Sequence, residues 1–416
     1  MRAELRRVFD PLLPVRKFTA ADRRITIVMW LAGLVQGFAQ SQASAGLPFT
    51  RVGLGLSEGE MSLMLGVARL AGFAALGLGW LGDHRGRRRP FLIAITLVVL
   101  GGAGAGLVVE AWQFGVLHAV LRTGTAAVSG LAIVILAETA SAPVRAYSIS
   151  FYGAAVSLGS GLALIALPLA DGGGEAWRIP HLLSGVGLAV IPLLALRLPE
   201  TRVYSTEHPR GGQWRELLSS GPWRRRFWIV VVVNLLAAAF GAVGAAFSTE
   251  RMISDVGLET GQAVWILLLG GTLGGVGFFI GGRLADSWGR RNTSILSLLL
   301  ALAGGLVVYS TTTIPLIVIG AMVSAFGTFA FVPAGGSHRA ELFPTRLRSS
   351  ANTAVSQAAL VGSALGLISG IYTMDALGLS NTIFILGAGV AFAATLTGLL
   401  PETRGQDLTA LSTEMG

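Results

Sequence analysis

The sequence predicts an all-α polytopic membrane protein, with twelve transmembrane helices in two pseudo-symmetric six-helix bundles. Three observations predict it. The 416-residue chain is 53% hydrophobic and only 13% charged, against about a quarter charged in a soluble domain. Apolar runs long enough to cross a bilayer, about 20 residues each, recur along its length. One short stretch occurs twice, half a chain length apart, as expected of an internal duplication. Gly79-Trp80-Leu81-Gly82-Asp83-His84-Arg85-Gly86-Arg87-Arg88 and Gly282-Arg283-Leu284-Ala285-Asp286-Ser287-Trp288-Gly289-Arg290-Arg291 both read G-x-x-x-D-x-x-G-R-R.

In chain order, the spans are expected at 25–48, 60–81, 90–109, 113–137, 146–168 and 179–198, then at 227–248, 261–282, 292–312, 314–338, 349–373 and 380–400. This divides the chain into a first bundle over 1–198, a polar central linker over 199–226 and a second bundle over 227–416. The linker, with Arg202, Arg210, Arg215, Arg224, Arg225, Arg226 and Pro209, reads as a surface tether with a short amphipathic helix at 213–220. The first residues are basic and mixed, without the apolar core of a cleavable signal. Arg51, Arg178 and Arg251 fall in loops on one side, and Arg69 and Arg122 fall within spans. The rest of the 31 Lys and Arg fall on the opposite side. By the positive-inside bias both termini are then expected in the cytoplasm of a bacterial inner membrane.

The repeated stretch has the chemistry of a tight cytosolic turn. Asp83 and Asp286 can accept from backbone donors at a helix N-terminus, where the dipole favours negative charge. Gly86 and Gly289 supply the turn. The arginines anchor the loop at an anionic leaflet or pair with a carboxylate. Two copies in register with the hydropathy are far more specific than one. On these residues the sequence resembles the major facilitator superfamily, whose loops between helices 2 and 3 and between helices 8 and 9 carry this signature. Further stretches extend the resemblance towards sugar porters and metabolite:proton symporters. Leu198-Pro199-Glu200-Thr201-Arg202 and Leu400-Pro401-Glu402-Thr403-Arg404 look like the P-E-T stretch closing each half. Glu341-Leu342-Phe343-Pro344-Thr345-Arg346-Leu347-Arg348 resembles E-x-F-P-T-x-x-R, and 137–145 is its weaker counterpart. The resemblance implies that Gly79, Asp83, Gly86, Arg87, Glu138 and Arg145, with Gly282, Asp286, Gly289, Arg290, Glu341 and Arg348, are gating residues rather than substrate ligands.

Ionisable residues inside a bilayer are costly and are functional candidates by default. Arg69 and Arg122 lie about equally deep in spans 2 and 4, with His118 one turn before Arg122. Arg122-Thr123-Gly124 looks like the helix 4 arginine signature of the superfamily. The aspartate that pairs with it in proton-coupled sugar porters has no counterpart in span 1, which reads Gly33-Leu34-Val35-Gln36-Gly37-Phe38-Ala39-Gln40. Proton coupling would need another carrier, and His118, Glu110 and Glu138 are the candidates. Two guanidiniums suit an anion, since Arg offers a planar fork to a carboxylate or phosphate. The alternatives stay open: Arg69 can snorkel or pair with Glu110, and Arg122 can be structural. Neutral ligands are expected from Gln36, Gln40, Asn234, Asn352 and Gln357, each of which could instead serve helix packing.

The chemistry excluded is as informative. Net charge is +9, but the arginines sit in short loops rather than on one face, against nucleic-acid binding. Cysteine is absent, and no phosphate loop, metal cluster or nucleophile constellation appears, so neither an enzyme nor a cofactor is expected. The expected function is secondary transport of a small organic anion by alternating access, as a monomer in the lipid bilayer, with protons as the coupling partner. The rivals are a proton-antiport exporter and, in another class, a non-transporting membrane sensor on the same scaffold.

Overall fold

The computed structural model describes residues 18–141, 144–200, 218 and 222–404. Among these, regular structure is entirely helical. Span α1 is Ala20–Ala45, followed by a short helix at Leu47–Gly53. Span α2 runs from Glu58–Leu70 through a 3₁₀ turn at Ala71–Ala74 into Ala75–Arg85. Then come α3 (Arg88–Gly104), α4 (Ala111–Thr139) and α5 (Arg145–Ala166). Span α6 joins Arg178–Leu183 to Gly187–Arg197 through a 3₁₀ turn. The second half holds α7 (Pro222–Ala246), α8 (Thr260–Gly274 and Val276–Trp288), α9 (Arg290–Ser310), α10 (Ile314–Leu342), α11 (Thr345–Leu377) and α12 (Leu379–Gly398). Among the described residues, 11 helices are long and apolar enough to cross a membrane. Span α1, with 26 residues, is about 39 Å long; Gln36, Gln40 and Gln42 make it more polar than the rest.

Two spans outrun their apolar runs, one of them because a polar cap carries its end. Span α1 begins at Ala20 rather than 25, since Thr19 and Asp22 form a reciprocal capping box. Span α10 continues to Leu342, past the expected end at 338, and takes Arg339 into the helix. The proposed amphipathic helix of the linker lies outside the described residues apart from Leu218.

Packing divides the chain into two units. The first comprises the described part of Met1–Gly46 and of Ala71–Thr206; the second comprises Leu47–Leu70 and the described part of Glu207–Gly416. The stretch Leu47–Leu70 therefore packs with the second unit although it precedes the expected boundary near 198. Its attachment is specific. Ser62 Oγ donates to the Leu367 carbonyl at 2.6 Å, and Asp375 accepts from the Gly59 N–H and the Ser57 hydroxyl, each at 2.9 Å.

Within the first unit, Met29, Ala32, Phe91, Ile95, Val98, Val128, Ile135 and Leu194 form a fully buried core. There α1 and α5 touch backbone to backbone: a Cβ on Gly37 would fall 2.0 Å from the Val156 carbonyl oxygen, and one on Gly159 2.2 Å from that of Leu34. In the second unit α7 and α11 make the corresponding contact, with a Cβ on Gly362 2.1 Å from the Leu235 oxygen. Lipid offers no hydrophobic drive for helix association, so such close packing is what holds neighbouring spans together.

Candidate functional site

In each unit the repeated stretch closes in the same way. Gly86 has φ +94° and Gly289 φ +117°, a region that side chains with a Cβ avoid. The next residue reaches the glutamate at the end of the fourth helix of its half. Arg87 pairs with Glu138, and Arg290 Nε lies 3.0 Å from Glu341 Oε2. Arg290 also lies 3.0 Å from Asp286. The glutamate of each P-E-T stretch then caps the helix that the turn opens. Glu200 accepts from the Arg88 N–H at 3.2 Å; Glu402 accepts from those of Arg290 at 2.8 Å and Arg291 at 3.2 Å. An anion is favoured there by free N–H groups and by the helix dipole. Burial alone would raise Glu402, but the N–H groups of Arg290, Arg404 and Thr403 outweigh it and hold the carboxyl below its ordinary range. The guanidiniums finish the closure: Arg88 donates to the Ala195 carbonyl and Arg291 to that of Leu400. The side chains of Asp83, Arg145 and Arg348 lie outside the described residues. Gly79 has open space where a Cβ would stand, and one on Gly282 would meet Pro333 at 3.7 Å.

An expected ligand and a candidate proton carrier meet on α4. Arg122 Nε donates to His118 Nε2 at 3.3 Å, and the buried His118 ring stacks on Phe114. Gln36 is buried, and its amide is engaged within the first unit. It donates to Ser129 Oγ at 2.6 Å and to the Thr125 carbonyl at 3.3 Å, and accepts from the Tyr152 hydroxyl. This ties α1 to α4 and α5. Gln40 is half-buried on α1. Glu110 is exposed and forms a capping box with Gln113 at the start of α4.

The second unit contains a cavity of about 710 Å³. Arg69 and Asn234 both line it, together with Phe240, Ser324 and Thr328. Arg69 is the one charged side chain among the described lining residues. Its presence there follows from the attachment of Leu47–Leu70 to α11. Asn352 and Gln357 lie on α11 away from this lining, and Gln357 Oε1 is buried without a hydrogen-bond partner among the described residues.

Sequence reasoning missed two polar groupings. Arg339, assigned to a loop, reaches across from α10 and donates to Asn234 Oδ1 at 3.3 Å; the signal was helical propensity running past the apolar stretch. Arg51 and Glu250 form a 2.6 Å ion pair in which the Glu250 side chain is fully buried. The hydrogen bond that Arg51 donates to Glu250 holds the arginine above its ordinary pKa. Arg251 beside it reaches Asp255 at 3.2 Å and the Thr311 carbonyl at 3.1 Å. Both arginines had been read only as loop charges.

A helical chain of bilayer-spanning segments, built twice on one plan and holding a cavity among its helices, defines a multi-pass membrane transport protein. The profile of the Major Facilitator Superfamily matches residues 29–307 and 229–415, and the chain belongs to that superfamily. It is 26% identical over 452 residues to an Escherichia coli (strain K12) protein named for metabolite transport, YaaU, covering 98% of this chain and 97% of the other. It is 22% identical over 315 residues to the galactose-proton symporter of Escherichia coli (strain K12), covering 66% of each. The inward-open structure of the xylose transporter XylE from E. coli superposes with a TM-score of 0.70 at 18% identity, covering 93% of this chain and 98% of that one. Proteins of this fold and family are transporters and not enzymes.

Proposed function

We propose that the chain moves a small organic anion across a bacterial inner membrane by alternating access, coupled to protons, with both termini cytoplasmic. The observation that carries this reading is Arg69 in the wall of the 710 Å³ cavity, the one charge among its described lining residues. A guanidinium in an apolar wall is a strong site for a carboxylate, since charge-assisted bonds gain where water is excluded. Within the first unit Arg122, with His118 against it, is a second candidate anion-binding cation and Gln40 a candidate neutral ligand; in the second unit Asn234 shares the cavity wall with Arg69. Gln36, whose amide is spent on Ser129, Thr125 and Tyr152, and Asn352 and Gln357, which are not in that lining, are not proposed as ligands. Proton coupling draws on the names of the sugar-proton relatives and on His118 beside Arg122; Glu138 and Glu110 are the other candidate carriers. The paired motifs serve as gates on the cytoplasmic side, a sidedness supported by the excess of basic residues around them.

The test is uptake of radiolabelled benzoate into proteoliposomes, with and without an inward proton gradient. Wild type is expected to accumulate it only with the gradient. Arg69→Ala and Arg122→Ala, at normal abundance and with unchanged thermal stability, are expected to lose uptake at least about tenfold, the loss of one charge-assisted contact. Unchanged uptake in both variants overturns the anion reading. Gradient-driven efflux of hydrophobic cations would instead make the protein an exporter.

A further inference from the structure

Arg339 on α10 differs from the arginines of the motif turn beside it. Arg290 is paired with Asp286 and Glu341, and Arg291 stands against Glu402, which accepts its N–H. Arg339 has no carboxylate partner among the described residues. The Asn234 oxygen accepts from its Nη1 at 3.3 Å, and its Nε is buried with no hydrogen-bond partner among the described residues. Its position is on the cavity side of the helix. Thr328 and Val332 line the cavity, and Arg339 follows them by 11 and 7 residues. At about 3.6 residues per turn that is the same face, about 10 Å beyond Val332. Asn234 marks the same end on α7, where it is the first lining residue and Ser248 the last.

A guanidinium carries five N–H donors and a full charge. One neutral amide oxygen neither satisfies those donors nor balances the charge, which is costly where water is scarce. A carboxylate, acceptor-only and singly charged, corrects both faults. Resting on the anion reading above, we infer that Arg339 is a second seat for the solute's carboxylate, just beyond the Asn234 end of the cavity. Asn234 is its positioning residue. The Asn234 amide is itself tied by its N–H to the Val230 carbonyl at 2.9 Å, so its oxygen steadies Nη1 while the remaining N–H groups outnumber the acceptors around them. A single cation matches a monoanion, whereas a dianion would carry an unbalanced charge into the same place.

Binding of benzoate and benzamide to the purified full-length protein tests this. The two share a ring and differ in charge, so the ratio of their affinities reads the charge contact. Wild type is expected to favour benzoate at least about tenfold, and Arg339→Gln to cut that ratio by about tenfold. Arg339→Lys, which keeps the charge but not the fork, is expected to stay within about threefold of the wild-type ratio. A wild-type ratio in Arg339→Gln overturns the inference and leaves the anion reading intact. That includes a parallel fall of both affinities, the mark of a merely structural tie. No preference for benzoate in wild type overturns both. Should Arg339→Gln not fold, phenylglyoxal labelling of wild type decides. Benzoate, and not benzamide, is expected to slow modification of Arg339 at least about threefold, read by peptide mass; equal labelling overturns the inference.

Discussion

The two motif closures share a plan, and the capping carboxylate of the second has more described partners than that of the first. Among the described residues Glu200 accepts one backbone N–H, from Arg88. Glu402 accepts four, from Arg290, Arg291, Thr403 and Arg404. Thr403 also donates to Glu341 at 2.6 Å, so the cap and the arginine's partner belong to one network. Thr201 and Arg202, the first-half counterparts, lie outside the described residues. A duplicated sequence thus repeats which groups meet, and the comparison below asks whether the two meetings contribute equally.

The strongest way to break this comparison is to put a Cβ into the turns. Added to Gly289, it would stand 2.4 Å from a Glu402 oxygen, and added to Gly86, 2.5 Å from a Glu200 oxygen. Backbone strain alone costs about 1–3 kcal/mol at such a φ, and a carboxylate that cannot swing away adds to it. Gly289→Ala is therefore expected to lower the apparent Tm in detergent more than Gly86→Ala; an equal or reversed order would mean that the two caps are equally fixed. Removing the charge is gentler. Glu402→Gln is expected to cost about 1–2 kcal/mol and Glu200→Gln less than about 1, read by the same melts. The reverse order would break the comparison.

The smallest effect is one of pH and belongs to the first unit. The Ser141 N–H, opposed by burial and helped by Thr19, lowers Asp22 to about 2. A carboxyl lowered on folding contributes fully above its unfolded value of about 3.9 and loses that contribution as pH falls through the folded value near 2. Amide exchange at the start of α1 is expected to quicken over that window in wild type and to be flat with pH in Asp22→Asn, with the start of α12, which has no side-chain cap, as the unaffected reference. Loss of protection already at pH 5 would contradict the assignment.

The helical class, the twelve spans and both turns were legible because hydropathy and a repeated motif are local signals. The place of Arg69 was not. Its depth in span 2 could be counted, yet its membership of the second unit depends on Ser62 meeting Leu367 and Gly59 meeting Asp375, 305 and 316 residues apart, and no periodicity encodes that. Gln36 could be flagged as buried and polar, but its bonds to Ser129 and Tyr152 join three helices that the sequence leaves unpaired. Arg339 was lost to a boundary, since an apolar run ends before the helix that contains it.

The capping glutamates also say something about how the protein is made. Arg88 and Glu200 are 112 residues apart, and so are Arg290 and Glu402. While the chain is being synthesised, the third helix of each half waits with a bare amino end until the sixth has emerged, and only then can the loop be locked. Each half carries its own lock, so the first can be finished before the second begins, and a ribosome that stops short of Glu402 releases a chain whose final helices are all present and whose last fastening is not.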